Sequence, residues 1–216
     1  MVVGVIPAAG LATRLGLAEG AKELVEVGGR PVMDYLVERL RAVTDEIVVV
    51  TRPDKRDVVE HSRSLGLRVV EGEPSSVSES LLLGLSGADT VLLGFPDTIW
   101  EPVDGFVRLV EALEESDVAL GVFESEEPGR SDVVALDGDR VEAVDVKPAK
   151  PRSNLIWGCA AARAETLTGL DRHDQPGLLF DEVAREGRAR AVRFAGAMID
   201  IGTPEALARA RRLLGS

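Results

Sequence analysis

The stretch Val2-Val3-Gly4-Val5-Ile6-Pro7-Ala8-Ala9-Gly10-Leu11-Ala12-Thr13-Arg14-Leu15-Gly16 decides the fold. A short run rich in β-branched residues ends abruptly in small residues, which reads as a buried strand running into a tight loop. Small side chains let backbone N–H groups approach a phosphate chain closely, and the loop ends in a fixed cation, Arg14, whose planar fork suits phosphate oxygens. A plain strand-to-helix turn needs the same small residues, so the loop acquires meaning from what surrounds it.

Outward from this stretch the pattern repeats. Ile47 to Thr51, Leu67 to Val70, Thr90 to Gly94 and Val118 to Phe123 are further strand-like runs, and helical patterns separate them. Pro31 opens a helix with Leu36, Leu40 and Val43 on one face, Pro53 opens another, and Asp104 is placed to cap a helix reaching about Glu115. This alternation predicts an α/β fold whose parallel sheet carries helices on both faces. The second half changes character: Val133 to Leu136 and Val141 to Val146 flank a hairpin turn at Asp137-Gly138-Asp139, and Leu155 to Ala161 and Arg190 to Phe194 are additional strands. Thr203-Pro204-Glu205 starts the last helix, with Thr as the cap and Pro as its first residue.

The chain has 216 residues, 45% of them hydrophobic, and no linker or repeat divides it, so a single domain spanning 1–216 is expected. Its formal charge of −12 disfavours nucleic acid as a partner, because counterion release rewards cationic surfaces. One cysteine, Cys159, excludes a disulfide framework and reads as a small hydrophobe on a buried strand. His61 and His173 are too far apart in sequence to suggest a His-rich metal site, and the scarce aromatics make Trp100 and Trp157 core or pocket-wall residues. No apolar run reaches the roughly 18 residues of a membrane span. With no signal-peptide pattern at the N-terminus, a cytoplasmic protein without a membrane partner is expected.

Ligands of open α/β sheets bind beyond the carboxyl ends of the strands, and four features fall there. The first is the Gly/Ala loop with Arg14, over which Lys22 can swing. The second is Leu92-Leu93-Gly94-Phe95-Pro96-Asp97, a strand delivering a carboxylate, and the third is Met198-Ile199-Asp200-Ile201-Gly202. Each is also an ordinary turn, but two carboxylates on rigid strand ends suit Mg²⁺, which keeps its waters and asks for one or two protein carboxylates. The fourth is Lys147, in Val146-Lys147-Pro148, which also reads as a basic exit loop.

Taken together, Ile6 to Arg14, Lys22-Glu23, Gly29-Arg30-Pro31-Val32, Phe95-Pro96-Asp97, Lys147-Pro148, Ser153-Asn154-Leu155 with Gly158, and Asp200 to Pro204 resemble the signature of the sugar-1-phosphate nucleotidylyltransferases. The glucose-1-phosphate uridylyl- and thymidylyltransferase branches are the most similar. The resemblance implies a single-domain, mixed but mostly parallel sheet of the nucleotide-diphospho-sugar transferase (GT-A) type. It also implies a reaction in which a sugar-1-phosphate oxygen attacks the α-phosphorus of a nucleoside triphosphate and expels pyrophosphate. On matching positions, Ala8, Ala9, Gly10, Leu11, Ala12 and Thr13 hold the nucleotide, and Arg14 and Lys22 neutralise the triphosphate. Asp97 and Asp200 hold Mg²⁺, and Lys147 grips the phosphate of the acceptor. Asp132, Val146 and Gly158 border the sugar. Relatives are often homo-oligomers, and no dedicated interface element is legible here. At this length no appended acyltransferase or β-helix domain is expected.

The sequence departs from the family pattern at four places. Ala12 replaces a usual glycine, and Pro74 to Leu81 stands where a base-contacting Gln and Gly-rich segment is expected. Val146 replaces a glutamate that accepts sugar hydroxyls, and Asp132 stands where a glycine lies against the sugar. The triphosphate and metal half is thus intact and the acceptor half altered. Two other readings stand beside the first. One is cytidylyl transfer to a phosphorylated alcohol of the phosphocholine or inositol phosphate type; the methylerythritol branch is disfavoured because its His-Asp-Ala-Ala-Arg-Pro type segment is not found. The other is a non-catalytic homologue that binds a nucleotide-sugar.

Overall fold

The computed structural model describes residues 1–10, 21–85 and 87–215. Leu11, Ala12, Thr13 and Arg14 lie outside the described residues. Strand β1 (Val2–Pro7) runs into the small-residue loop, and a 3-10 turn at Lys22–Leu24 leads into a short hairpin of β2 (Glu26–Val27) and β3 (Arg30–Pro31). Helix α1 (Val32–Arg41) follows Pro31 directly. Next come β4 (Glu46–Thr51), α2 (Arg56–Ser64), β5 (Arg68–Glu71), α3 (Val77–Gly84) and β6 (Thr90–Gly94). β1 pairs in parallel with β4 and β6, and β4 with β5, as the alternation predicted.

After β6 the chain forms β7 (Thr98–Trp100), α4 (Gly105–Ala112) and β8 (Val118–Glu124). The hairpin of β9 (Val133–Asp137) and β10 (Arg140–Asp145) turns at the expected Asp-Gly-Asp. β11 (Leu155–Arg163) is followed by α5 (Ala164–Leu167), α6 (Pro176–Arg185), β12 (Ala189–Arg193), β13 (Met198–Asp200) and α7 (Pro204–Leu214). The main sheet has nine strands in the order β5-β4-β1-β6-β11-β8-β12-β10-β9. β11 is antiparallel to both β6 and β8, so the parallel half ends at β6 and a mixed half begins.

Both faces of the sheet are covered, and the period-two pattern shows how. Val3, Val5, Val48, Val50, Val91 and Leu93 enter one apolar cluster with Leu81 of α3 and Phe180 of α6. Their neighbours Ile6, Ile47, Val49 and Leu92 enter the other, with Leu36 and Leu40 of α1 and Phe106 of α4. Cys159 is fully buried in this second cluster, and Trp100 stacks on Phe194 there at 5.8 Å.

Helix boundaries shift where side chains find better partners than the helix. α2 starts three residues after Pro53, because Lys55 turns its ammonium inward onto Glu23 and the Ala8 carbonyl. Asp104 precedes α4 but makes no side-chain cap, whereas Thr203 caps α7 by accepting from the Ala206 N–H at 3.2 Å. Ser76 caps α3, accepting from the Glu79 N–H at 3.0 Å while Glu79 accepts from the Ser75 N–H at 2.7 Å, a variant of the capping box.

β7 and β13 form a separate two-stranded antiparallel ribbon in which Thr98 faces Asp200. Ile99, Ile199 and Ile201 pack it on Val27, Val32 and Ala210, joining the ribbon to α1 and α7. The ribbon brings together residues about a hundred positions apart in the chain.

Gly84 in α3 lies against the first strand. A Cβ there would stand 2.6 Å from Cγ1 and 3.0 Å from Cγ2 of Val5, a β-branched side chain in the centre of the sheet with little freedom to yield. Helix propensity alone favours alanine by about 1 kcal/mol, but overpacking a core costs roughly 1–3 kcal/mol. The clash wins, so Gly84→Ala is expected to lower the unfolding free energy by about 1 kcal/mol or more in urea denaturation.

Candidate active site

Beyond the carboxyl ends of β1 and β6 lies a cavity of about 420 Å³. Pro7, Ala9 and Gly10 line it after β1, Phe95 to Thr98 after β6, and Pro74 to Val77 at the start of α3. The ribbon contributes Met198 and Asp200, and β11 contributes Trp157 and Gly158. Arg130, Ser131 and Asp132 before β9, Lys147 after β10, and Gln175 and Pro176 at the start of α6 complete it. Of the residues expected from sequence, Ala9, Gly10, Lys22, Asp97, Asp132, Lys147, Gly158 and Asp200 converge here. Ala8 and Val146 do not line the cavity: Ala8 is fully buried, and Val146 packs behind the wall, near Gly177.

The polar side chains form two groups. In the first, the Lys22 ammonium meets Asp97 Oδ2 at 2.5 Å, with both side chains largely buried. Burial works against this ammonium, but Asp97, Glu23 and Asp200 together outweigh it and raise its pKa. The Asp97 carbonyl accepts from the Ile201 N–H at 2.9 Å, which fixes the β6 exit against the ribbon, and Asp200 Oδ1 accepts from the Gly202 N–H at 2.7 Å. Among the described residues no group of three or more His, Cys, Asp or Glu could hold a metal ion. Two carboxylates, Asp97 and Asp200, line this end of the cavity, and a pair of that kind is a donor set that fits a hard cation such as Mg²⁺, which takes its remaining ligands from water and phosphate.

In the second group, Asp132 is 9% exposed and accepts from Trp157 Nε1 at 3.3 Å. Burial pushes its carboxyl pKa up; the Lys147 charge, the Trp157 N–H and the Lys147 backbone N–H pull the other way without cancelling it. Lys147 has a φ of 41°, a left-handed conformation that a non-glycine residue adopts only when its surroundings hold it there. Gly177 permits the close packing behind this group, since a Cβ there would lie 2.4 Å from Asp132 Oδ2. The ladder of β11 with β8 slips between Trp157 and Cys159, a bulge centred on Gly158, and a Cβ at Gly158 would overlap the Met198 sulfur at 2.1 Å. Gly158 thus serves the packing of β11 on the ribbon as well as the cavity wall, and the bulge turns Trp157 towards Asp132.

A third cluster, not read from the sequence, stands behind the first. Glu23 is fully buried and pairs with the Lys55 ammonium at 2.8 Å; Lys55 also donates to the Ala8 carbonyl at 2.9 Å. The Thr51 hydroxyl reaches the same carbonyl at 3.3 Å, and Asp57 accepts from the Ala21 N–H at 3.2 Å. Both flanks of the first loop are therefore tied to the corner between β4 and α2. The available signal was Glu beside Lys22 and a Lys in a Pro-Asp-Lys turn, both ordinary surface residues on composition alone.

Residues 4–186 match the family model of the MobA-like NTP transferase domain, and the chain belongs to that family. It is 32% identical over 97% of its length to a 2-C-methyl-D-erythritol 4-phosphate cytidylyltransferase of Deinococcus radiodurans, covering 88% of that protein. It is 29% identical over 94% of its length to a Sulfolobus acidocaldarius protein named as a mannose-1-phosphate guanyltransferase, and spans 60% of that protein's length. It spans 36% of the bifunctional protein GlmU of Gluconobacter oxydans. In structure it superimposes on a Bacillus anthracis protein described as a glucose-1-phosphate thymidylyltransferase with a TM-score of 0.87 at 19% identity, over 99% of this chain and 95% of that one, which establishes the fold.

Lys55→Met would leave the Glu23 carboxylate buried without its cation. Breaking a buried pair from one side costs about 3–5 kcal/mol, and chemical denaturation is expected to show a loss of that size, largely recovered in the double variant with Glu23→Gln. The raised pKa of Asp132 makes a separate prediction. The native state holds this proton more tightly than the unfolded chain, so ionisation lowers stability as pH rises from the ordinary carboxyl pKa through the raised one. Asp132→Asn removes that loss: the melting temperature of the variant relative to the parent should be higher at pH 7 than at pH 3, and a constant difference would contradict it.

Proposed function

We propose that the chain is a nucleotidyltransferase that joins a nucleoside triphosphate to a phosphorylated small molecule, a sugar-1-phosphate first, and releases pyrophosphate. The observation that carries this reading is the presence, in one cavity at the strand ends, of Lys22 with Asp97 and Asp200 and, apart from them, Lys147 with Asp132. An oxygen of the acceptor phosphate attacks the α-phosphorus in line; the new P–O bond forms as the α–β phosphoanhydride bond breaks and pyrophosphate carries the electron pair away. Such a transfer needs positioning and charge stabilisation more than a covalent nucleophile.

Lys22 supplies a permanently charged ammonium for the triphosphate oxygens, exchanging part of its contact with Asp97 for them. Ala9 and Gly10 leave room for the phosphate chain against the backbone, and Arg14 supplies the second cation. Lys147 holds the acceptor phosphate. Asp97 and Asp200 would hold Mg²⁺, which when bound neutralises phosphate charge and orients the chain. Pro7, Pro74, Phe95 and Pro96 add apolar surface to the cavity wall.

A second reading, transfer to a phosphorylated alcohol, is favoured by the likeness to the Deinococcus cytidylyltransferase along 97% of the chain. Both readings are tested by one matrix: nucleoside triphosphates against sugar-1-phosphates and phospho-alcohols with Mg²⁺, followed by pyrophosphate release. Turnover with at least one pair is expected, and Asp97→Asn and Asp200→Asn should each reduce it by at least about 100-fold while the melting curve stays cooperative. Nucleotide binding without turnover for every pair would establish a non-catalytic homologue instead.

A further inference from the structure

Stability alone is a poor reason for the Glu23–Lys55 pair. Apolar side chains of similar volume in place of a buried ion pair are often neutral or stabilising, so burial by itself does not call for charges here. Glu23 is fully buried, its Oε1 meets the Lys55 ammonium at 2.8 Å, and its Oε2 has no hydrogen-bond partner among the described residues. A buried acceptor left open is destabilising, and such exceptions in a folded protein call for an explanation.

The place of the pair in the fold supplies one. Ala8 and Ala21 stand at the two flanks of the first loop, and the corner between β4 and α2 holds both. The Lys55 ammonium and the Thr51 hydroxyl donate to the Ala8 carbonyl at 2.9 and 3.3 Å, and the Ala21 N–H donates to Asp57 Oδ2 at 3.2 Å. Ala8 leads directly into Ala9 and Gly10 on the cavity wall, and Ala21 leads into Lys22. The Leu24 N–H donates to the Ala21 carbonyl at 3.0 Å and closes the 3-10 turn, in which consecutive side chains point about 120° apart. Anchoring Glu23 inward therefore sends Lys22 outward onto Asp97. Since the carboxylate and the Lys55 ammonium neutralise each other, the pair gives the cleft geometry and adds little charge. A turn left unanchored would have to be ordered by the phosphate itself, and ordering side chains and loops on binding lowers affinity.

We infer that Glu23 and Lys55 are positioning residues for the triphosphate end of the cavity: without touching the ligand, they hold Lys22 and the backbone from Ala8 to Gly10 in the receiving geometry before a triphosphate arrives. This rests on the triphosphate side of the nucleotidyltransferase reading, but its signature is in binding and does not require turnover.

The test uses the full chain and isothermal titration calorimetry with inorganic tripolyphosphate and Mg²⁺, which leaves the choice of base out of the measurement. Glu23→Gln with Lys55→Met removes both charges together and leaves the Ala8 carbonyl its Thr51 hydroxyl. Folded, this double variant should bind tripolyphosphate about 10-fold or more weakly than the parent. Lys22→Met should weaken the parent about 10-fold or more but the double variant by less than about threefold further, because a pair that acts through Lys22 gives losses that do not add. Hydrogen exchange in the parent stands even where the variant fails to fold: the Leu24 and Val25 amides, which donate to the Ala21 and Lys22 carbonyls, should be protected in the free chain and change by less than about threefold on adding tripolyphosphate. Unchanged affinity in the folded double variant, additive losses with Lys22→Met, protection of the turn gained only on binding, or no binding of tripolyphosphate by the parent would overturn the inference. The expected losses in binding, with no pyrophosphate released from any triphosphate and acceptor pair, would sustain it and reject nucleotidyl transfer.

Discussion

The buried pair of Glu23 and Lys55 is the constraint around which the site is arranged. A fully buried carboxylate costs several kcal/mol in lost hydration, and it is tolerated because Lys55 reaches it at 2.8 Å and spends another donor on the Ala8 carbonyl. Three chain segments are thereby fixed to one another: the exit of β1, the corner after β4, and the 3-10 turn that carries Lys22. Glu23 and Lys22 are neighbours in that turn and point opposite ways, one into the protein and one onto Asp97 in the cavity. The position of the cleft cation is thus set by an ion pair that never touches the cleft.

Charge gives the same division of labour on a larger scale. The chain carries a formal charge of −12, yet the described cavity wall offers three cations, Lys22, Arg130 and Lys147, against three carboxylates, Asp97, Asp132 and Asp200. The wall is close to neutral inside an acidic shell, a locally favourable place for an anion but one without surplus positive charge for a triphosphate and a second phosphate together. Under the nucleotidyl-transfer reading proposed above, a polyanionic substrate pair would draw on Arg14 and on a divalent cation held by Asp97, after β6, and Asp200, in the ribbon, to complete the balance.

The fold was legible where period and punctuation agreed. The runs ending at Ile6, Thr51, Gly94 and Phe123 alternate between two buried faces, and the hairpin at Asp137-Gly138-Asp139 and the cap at Thr203 carry unambiguous chemistry. The ribbon of β7 and β13 was not legible, because strands of three residues show no period and their pairing is a long-range event. Asp97 and Asp200 could be nominated singly, but their shared edge is tertiary information. α3 carries its signal in Ser76 and Glu79, inside the stretch Pro74 to Leu81 that the resemblance marks as a departure from a base-contacting segment. The Glu23–Lys55 pair was invisible for a deeper reason: charged residue types are rarely fully buried, and only the partner makes the exception affordable.

The corner around Asp132 sets one polar side chain among apolar packing. Val146 is apolar and sits behind the wall, whereas Asp132 occupies the wall, and both crowd the same glycine, with Gly177 facing Asp132 Oδ2 and Val146 Cγ2. Two positions on either side of Gly177 thus divide packing and polarity between them. β9, β10 and α6 hold this corner, while the 3-10 turn, the loop after β6 and the ribbon carry Lys22, Asp97 and Asp200. The antiparallel strand β11 joins the two ends, because Trp157 meets Asp132 and Gly158 lies against Met198 of the ribbon, so the bulge there couples the two corners of the cavity.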